Sequence, residues 1–279
     1  MNARQVHSVL AAGVQNPDLI TQWQTEPASL LRLGVQPESL DLSRLLKFAG
    51  LTVKVRHNGV RQEFPMTFRL MGVAGLEIEI FAAYAAFCAA TGRGYAADTA
   101  ERTRELSQFL QHWLHLDRTD HSLLWDMFRH EQALALLNQA TPSQSPDATT
   151  GKALPSNARP SAASVPMVCG RIVLHEMRCD PLAVQAALQQ STPTLSQIER
   201  GTHSYCYWRA DHAGEIQILD LDEFGYCALS FVDGSRSVAE LSRQLGGGRR
   251  PTPAFMRLLD QLASIGILTF APASHARTR

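Results

Sequence analysis

The chain has 279 residues, of which 45% are hydrophobic and 19% charged, and its formal net charge at pH 7 is zero. A chain of this length can form two domains with a core each. The balanced charge argues against nucleic acid or an anionic membrane as a partner. The five cysteines include no CxxC pair, so their spacing fits neither a disulfide framework nor a thiolate zinc site. The chain starts without a secretory pattern and has no run near the ~18 apolar residues of a membrane span, so we expect a cytoplasmic protein.

The first third of the chain has mostly helical patterns. Residues 6–13, 17–23 and 28–33 favour helices, and Asn16 before a proline suits a helix start. Residues 45–64 are ambiguous. The Asn58-Gly59 pair favours the tight turn of a β-hairpin, whereas Leu45, Leu46, Ala49, Val53, Val60 and Phe64 recur at helical spacing. Periodicity leaves both alternatives open.

Three longer helices follow. Residues 76–90 are apolar almost all round, which is typical of a central helix. Residues 100–116 and 122–137 also have helical apolar spacing. We therefore predict an all-α helical bundle over residues 1–138.

This half of the chain resembles a known family. The runs Val-Arg-His-Asn-Gly-Val at 55–60, Phe-Pro-Met-Thr-Phe-Arg-Leu-Met-Gly at 64–72 and Phe-Ala-Ala-Tyr at 81–84 are similar to all-helical partner proteins of multinuclear non-haem iron oxidases, the TglI/MbnC-like proteins. His57-Asn58 stands where that family has paired asparagines. The resemblance implies that the ambiguous segment is helical and that iron belongs to the partner oxidase. It also implies a heterodimer, docked through Arg56, His57, Asn58, Arg61 and Arg69.

Residues 139–166 change in composition. Five prolines lie among Ser, Thr, Ala, Asn and Gln with few large apolar side chains. Such a segment buries too little apolar surface to offset the entropy of ordering it, which predicts a flexible linker. We place a second domain at 167–272 and a disordered tail at 273–279.

The second domain has mixed patterns, so the fold class predicted for the whole chain is α+β. Residues 171–177 favour a strand and residues 181–190 a helix. Two runs of alternating apolar residues at 204–210 and 215–222 predict a hairpin, to which the first strand can add. Three helical segments at 223–232, 238–245 and 253–265 follow, with Ser237 and Thr252 as caps. Together they predict a small winged-helix unit with an antiparallel sheet.

The order of these elements resembles a second family. Leu221-Asp222-Glu223, the run Asp-Gly-Ser-Arg-Ser-Val-Ala-Glu-Leu at 233–241 and the closing Ile-Gly-Ile-Leu at 265–268 are similar to PqqD-type precursor-peptide recognition elements. In that family the leader of a ribosomally made precursor peptide adds as a strand to the sheet edge beside the third helix. The resemblance implies a leader-binding site formed by Ile216, Gln217, Ile218, Leu219, Asp220, Leu221, Arg257, Leu258, Gln261 and Leu262.

Two alternatives from other classes stay open. His112, His115, His121 and His130 are candidate metal ligands of an enzyme, although spacing alone is a weak indication. A winged helix can also bind DNA, but the third helix offers only Arg257 and Gln261. No nucleophile elbow, phosphate loop or dinucleotide fingerprint is present in the sequence. We therefore expect a non-catalytic accessory subunit without a cofactor of its own.

Overall fold

The structure, a computed structural model, describes residues 3–91, 98–139, 160–210, 214–248 and 250–272. It is an α+β protein with small antiparallel sheets. The chain divides into two compact units. The first contains Met1–Phe128 and Val184–Ser196, and the second contains Arg129–Ala183 and Gln197–Arg279. The division after Phe128 lies ten residues before the domain end predicted at 138.

The part of the first unit that the structure describes is helical. Its helices are α1 (Ala3–Gln15), α2 (Pro17–Thr25), α3 (Ala28–Arg32), α4 (Leu42–Arg56), α5 (Asn58–Glu63), α6 (Pro65–Val73), α7 (Glu77–Ala90), α8 (Thr99–Trp113) and the start of α9 (Thr119–Asn138). Asn16 caps α2 as expected, since its side chain accepts a hydrogen bond from the backbone of Asp18. The predicted end of the central helix at 92–94 lies outside the described residues.

The ambiguous segment is helical, and it is broken once. Helix α4 ends at Arg56 and α5 begins at Asn58, so the Asn-Gly pair starts a helix instead of a hairpin turn. Val60 and Phe64, one helical turn apart, are both fully buried. Phe64 stacks on Phe128 with ring centroids 4.9 Å apart. Burial of these side chains, about 2 kcal/mol each, outweighs the local turn preference.

The second unit holds the strands. They are β1 (Val165–Val168), β2 (Arg171–Cys179), β3 (Arg200–Arg209), β4 (Gln217–Leu221) and β5 (Leu268–Ala271). Strands β2, β3 and β4 form one antiparallel sheet in that order, as predicted for the hairpin and the preceding strand. Strands β1 and β5 form a second ribbon. Helix α10 (Pro181–Gln189) follows β2, and α11 (Glu223–Ser230), α12 (Val238–Gln244) and α13 (Pro253–Ser264) follow β4.

The ribbon of β1 and β5 was not predicted. Strand β1 starts at Val165, inside the range assigned to the linker, and Pro166 pairs with Phe270. Residues 140–159 of that linker, the hairpin loop at 211–213 and the tail at 273–279 lie outside the described residues.

Both faces of the three-stranded sheet are covered. On one face Cys206 and Trp208 of β3 join the core of α11, α12 and α13. On the other face Tyr205 and Tyr207 pack with side chains of the last part of α9. The members of this second cluster are Ala133, Leu137, Met177, Tyr205 and Tyr207. Because successive side chains of β3 point to opposite faces, this strand contributes to both cores. Its residues 204–208 are therefore all buried.

Helix α12 shows how closely the local signals agree with the fold. Ser237 and Glu240 form a reciprocal capping box. The next two backbone N–H groups, of Val238 and Ala239, donate to the carbonyl oxygens of Ser164 and Ala162. The first N–H groups of this helix are thereby satisfied.

Among the described helices, no single one combines the length and apolar character needed to cross a membrane. Among the described helices, α6 and the part of α7 up to Cys88 reach the required length and apolar character when they are taken together. The chain bends by 112° between them.

Candidate functional site

The outer edge of β4 is the most open backbone feature of the second unit. Strand β4 pairs with β3 from Gln217 opposite Trp208 to Leu221 opposite Ser204. Within the described part of the chain it pairs with no further strand. The edge therefore presents backbone N–H and C=O groups to which an extended peptide can bind.

The side chains of β4 hold this edge in place. Leu219 and Leu221 pack against the core of the three following helices. Ile218, together with Ile216 just before the strand, packs against the cluster that contains Tyr205 and Tyr207. These four side chains are half-buried. The strand is anchored on both faces while its outer edge stays exposed.

The polar residues of β4 point outward from these contacts. Gln217 and Asp220 are exposed. Asp222, directly after the strand, caps α11 by accepting a hydrogen bond from the backbone of Gly225 at 2.6 Å. This cap fixes the exit of the edge strand into the first of the three helices.

Helix α13 supplies fewer surface residues than expected. Arg257 and Gln261 are exposed and Leu258 is half-buried. Leu262, predicted to contact the peptide, is only 4% exposed and belongs to the core. Leu262 can therefore act on a bound peptide only by supporting the exposed residues of the helix.

A tyrosine links β3 to a carboxylate beside the same strand pair. The Tyr205 hydroxyl donates a hydrogen bond to Asp180 Oδ1 at 2.9 Å. Tyr205 also lies directly opposite Asp220 across the strand pair. Burial raises the pKa of the Tyr205 phenol, and the hydrogen bond to Asp180 and the negative charges of Asp180 and Asp220 raise it further. The phenol therefore stays protonated and can act only as a neutral hydrogen-bonding group at physiological pH.

A buried polar cluster lies under β3. His130 Nδ1 is 2.9 Å from the hydroxyl of Tyr207, which is fully buried. His175, whose ring also contacts Tyr207, accepts a hydrogen bond at Nδ1 from Arg129 Nη2 at 2.7 Å. Arg129 also donates to the carbonyl oxygen of Glu176. The cluster ties the last part of α9 to β2 and β3.

Both histidines of this cluster are held neutral. Burial lowers the pKa of His130 to about 4. Burial also lowers the pKa of His175 to about 4, with help from the positive charge of Arg129. Since Arg129 can only donate, the proton of neutral His175 is on Nε2. The cluster is a structural network rather than an acid-base pair working near pH 7.

The four histidines considered as alternative metal ligands do not form a site. His112 is exposed, with Nδ1 2.7 Å from the carbonyl oxygen of Gln108. His121 is buried against Trp113 and accepts a hydrogen bond from the backbone of His115. His130 belongs to the tyrosine cluster. In the described ranges, no three His, Cys, Asp or Glu residues are grouped so that they could hold a metal ion.

The residues predicted to dock a partner have mixed positions. His57 is 2% exposed and packs on Phe81 with ring centroids 4.3 Å apart, so it is a core residue rather than a surface residue. Arg61 forms an ion pair with Glu77 and lies over the ring of Phe68. Asn58 and Arg69 are exposed. Arg56 is the last residue of α4, and its side chain is outside the described part.

Sequence reasoning missed an apolar surface on the first unit. A pocket of about 470 Å³ lies beside α4 and α7 and is lined by Pro17, Leu46, Lys47, Gly50, Leu51, Glu77, Ile78 and Phe81. Of these lining residues, Leu51 is 62% and Ile78 59% exposed. Phe48 and Val55, also on α4, are 58% and 75% exposed. The signal in the sequence was that α4 has apolar residues on more faces than its buried Leu45 and Ala49 require.

No protein-family model and no curated protein matches the sequence.

Proposed function

We propose that this protein binds an extended peptide at the outer edge of β4 and presents it to a partner enzyme. The observation that supports this most is the open edge itself, because β4 is anchored on both faces and pairs only with β3 in the described chain. Strand addition uses backbone hydrogen bonds for affinity and flanking side-chain contacts for selectivity.

The identity of the peptide comes from the resemblance to PqqD-type recognition elements. On that resemblance, β2, β3, β4 and the three following helices form a winged-helix unit, and the ligand is the leader of a ribosomally made precursor peptide. The contact residues are the exposed edge from Ile216 to Leu221 with Arg257, Leu258 and Gln261 of α13. Leu262 belongs to the core on which these contact residues pack.

The identity of the partner comes from the resemblance to TglI/MbnC-like proteins. On that resemblance the first unit is a helical bundle that docks a multinuclear non-haem iron oxidase, forming a heterodimer. The apolar pocket between α4 and α7 supports a docking role better than His57 does, because exposed apolar patches of this kind mark interaction sites. Iron and the oxidation of the peptide belong to the partner.

The mechanism is one of effective concentration. Holding the leader on this chain turns delivery of the core peptide into an intramolecular event, which raises the apparent affinity about 10²- to 10⁴-fold when the geometry permits. Loss of leader binding should raise the apparent KM of the oxidase for the precursor more than it lowers kcat.

The test is fluorescence anisotropy with the full chain and labelled leader peptides encoded beside its gene. Ile218→Pro removes a backbone donor and distorts the strand, so it should abolish binding. The matched control is Ile218→Ala, which removes a similar amount of apolar packing but keeps the backbone, and it should weaken binding only a few-fold.

The second arm changes the peptide. Backbone N-methylation, moved one residue at a time along the bound leader segment, should reduce affinity at alternate positions because a strand directs every second N–H toward its neighbour. Equal affinity for all the methylated peptides, or an unchanged Kd in a folded Ile218→Pro variant, would refute strand addition.

A further inference from the structure

The segment that forms β4 and its two ends is acidic. Glu215, Asp220, Asp222 and Glu223 are all exposed, and they occupy the strand and its two ends. The sequence contains no Lys or Arg from residue 210 to residue 235. The edge therefore has a negative charge that its own segment does not balance.

The basic residues that flank this segment are already engaged. Arg209, on the N-terminal side, donates to the carbonyl oxygens of Gly214 and Leu137. Arg236, on the C-terminal side, forms an ion pair with Asp233 and donates to the carbonyl oxygen of Phe231.

A second carboxylate, Asp180, lies next to the Tyr205 hydroxyl at the end of β2. Asp180 and Asp220 both act on the Tyr205 hydroxyl, Asp180 by a direct hydrogen bond and Asp220 from the position opposite Tyr205. In the part of the chain that the structure describes, neither carboxylate forms an ion pair. A cation placed opposite Asp220 would therefore meet a carboxylate that has no ion-pair partner among the described residues.

We propose that the peptide bound at β4 is basic, with Lys or Arg next to its apolar residues. This inference rests on the proposed function and specifies the chemistry of the ligand. Side chains of an added strand lie about 5 Å from those directly opposite on β4. The residue opposite Asp220 is basic, and its neighbours, opposite Leu219 and Leu221, are apolar. A further Lys or Arg lies toward Asp222 and Glu223 or toward Glu215.

The experiment is a mutant cycle by fluorescence anisotropy on the full chain. The probe is the fluorescein-labelled leader encoded beside this gene, in its natural form and with every Lys and Arg replaced by Gln. The natural leader should bind Asp220→Asn about two- to fivefold more weakly than the unchanged protein, as expected for one cross-strand charge pair. The Gln form should bind both proteins equally.

A triple variant, Glu215→Gln with Asp220→Asn and Glu223→Gln, should weaken binding of the natural leader roughly tenfold. Asp222 is left unchanged because it caps α11. Glu199→Gln removes one exposed charge outside the strand and serves as the matched control, with an expected change below about 1.5-fold. Raising the salt concentration should weaken the natural leader and not the Gln form.

The outcomes separate the two proposals. If the natural leader binds and Ile218→Pro abolishes that binding, but the Gln leader binds equally well, the basic-peptide inference is overturned while strand addition stands. Tight binding of a leader that has no Lys or Arg overturns it in the same way. If no leader binds the full chain in any form, the proposed function and this inference both fail.

Discussion

At the scale of single residues, the buried histidines determine how the second unit responds to acid. His130 is 3% exposed and its ring contacts the fully buried Tyr207. The ring of His175 contacts the same tyrosine ring edge-on and lies next to the guanidinium of Arg129. Protonation of His130 would place a positive charge in an apolar environment, and protonation of His175 would place one beside Arg129. Protonation of either histidine therefore destabilises the folded state.

We predict that the second unit loses stability between pH 6.5 and pH 4. Each pKa falls from 6.5 in the unfolded chain to about 4 in the folded one, so the unfolded state binds more protons in this window. The free energy of unfolding is therefore highest above pH 6.5 and falls as the pH is lowered to 4. The change from His130 is on the order of 3 kcal/mol, and that from half-buried His175 is smaller.

The measurement is urea unfolding at a series of pH values, followed by ¹⁹F NMR of protein labelled with fluorotryptophan. Trp208 is the only tryptophan of the second unit, so its resonance reports that unit alone. His130→Gln should flatten the pH dependence. His112→Gln, at an exposed histidine, should leave it unchanged. An equally steep dependence in His130→Gln would contradict this account.

At the scale of elements, the turn between β1 and β2 allows the chain to pass close to the end of β3. Gly170 has φ of +80°, and a Cβ atom built there would lie 2.2 Å from the carbonyl oxygen of Arg209 and 2.7 Å from that of Ala210. The preceding carbonyl, of Cys169, accepts a hydrogen bond from Trp208 Nε1 at 2.7 Å. Only glycine fits this approach, since the contacting atoms are backbone and cannot move aside.

Gly170→Ala is therefore expected to destabilise the second unit by about 3 kcal/mol or more, from backbone strain and overpacking together. Gly201→Ala is the matched control. Gly201 lies in β3 with an ordinary φ, and its nearest neighbour would be 3.6 Å away. That change should stay within about 0.5 kcal/mol. The Trp208 resonance in urea unfolding measures the free energy of unfolding of both variants. Equal stability of the two variants would contradict the prediction that Gly170 is required at this close contact.

At the scale of the whole molecule, the proposal assigns two binding surfaces to two units, so single substitutions should separate them. Leu51→Asp places a charge in the exposed apolar surface beside the pocket of the first unit. It should weaken binding of the oxidase at least tenfold, or about 1.4 kcal/mol. Because Leu51 is in the first unit and the leader edge is in the second, the leader Kd should not change.

Surface plasmon resonance with the purified oxidase measures the first quantity and anisotropy the second. Leu31→Asp is the control, since Leu31 is also exposed but does not line the pocket. Oxidase binding that is equally strong in Leu51→Asp and in the unchanged protein would exclude this surface as the docking site.

Local patterns predicted the secondary structure well where several signals agreed. The hairpin, the strand before it and the three capped helices follow from alternating residues, Ser237, Thr252 and the glycines after α12. The strand Gln217–Leu221 was predicted for the same reason, whereas its role as a binding edge came from the family resemblance. Where two local signals competed, as at Asn58 and Gly59, burial of Val60 and Phe64 decided, and burial is not visible in a short window of sequence.

The sequence by itself determined the α+β composition, the bounds of most helices, the strand that forms the edge and the acidic charge around it, because these depend on neighbours in the chain. Tertiary structure alone decided which of those residues are accessible. It buried His57 and Leu262, joined His130 to Tyr207, paired β1 with β5 and left the apolar residues of α4 exposed. These outcomes depend on contacts between residues far apart in sequence, where packing and desolvation outweigh local preference.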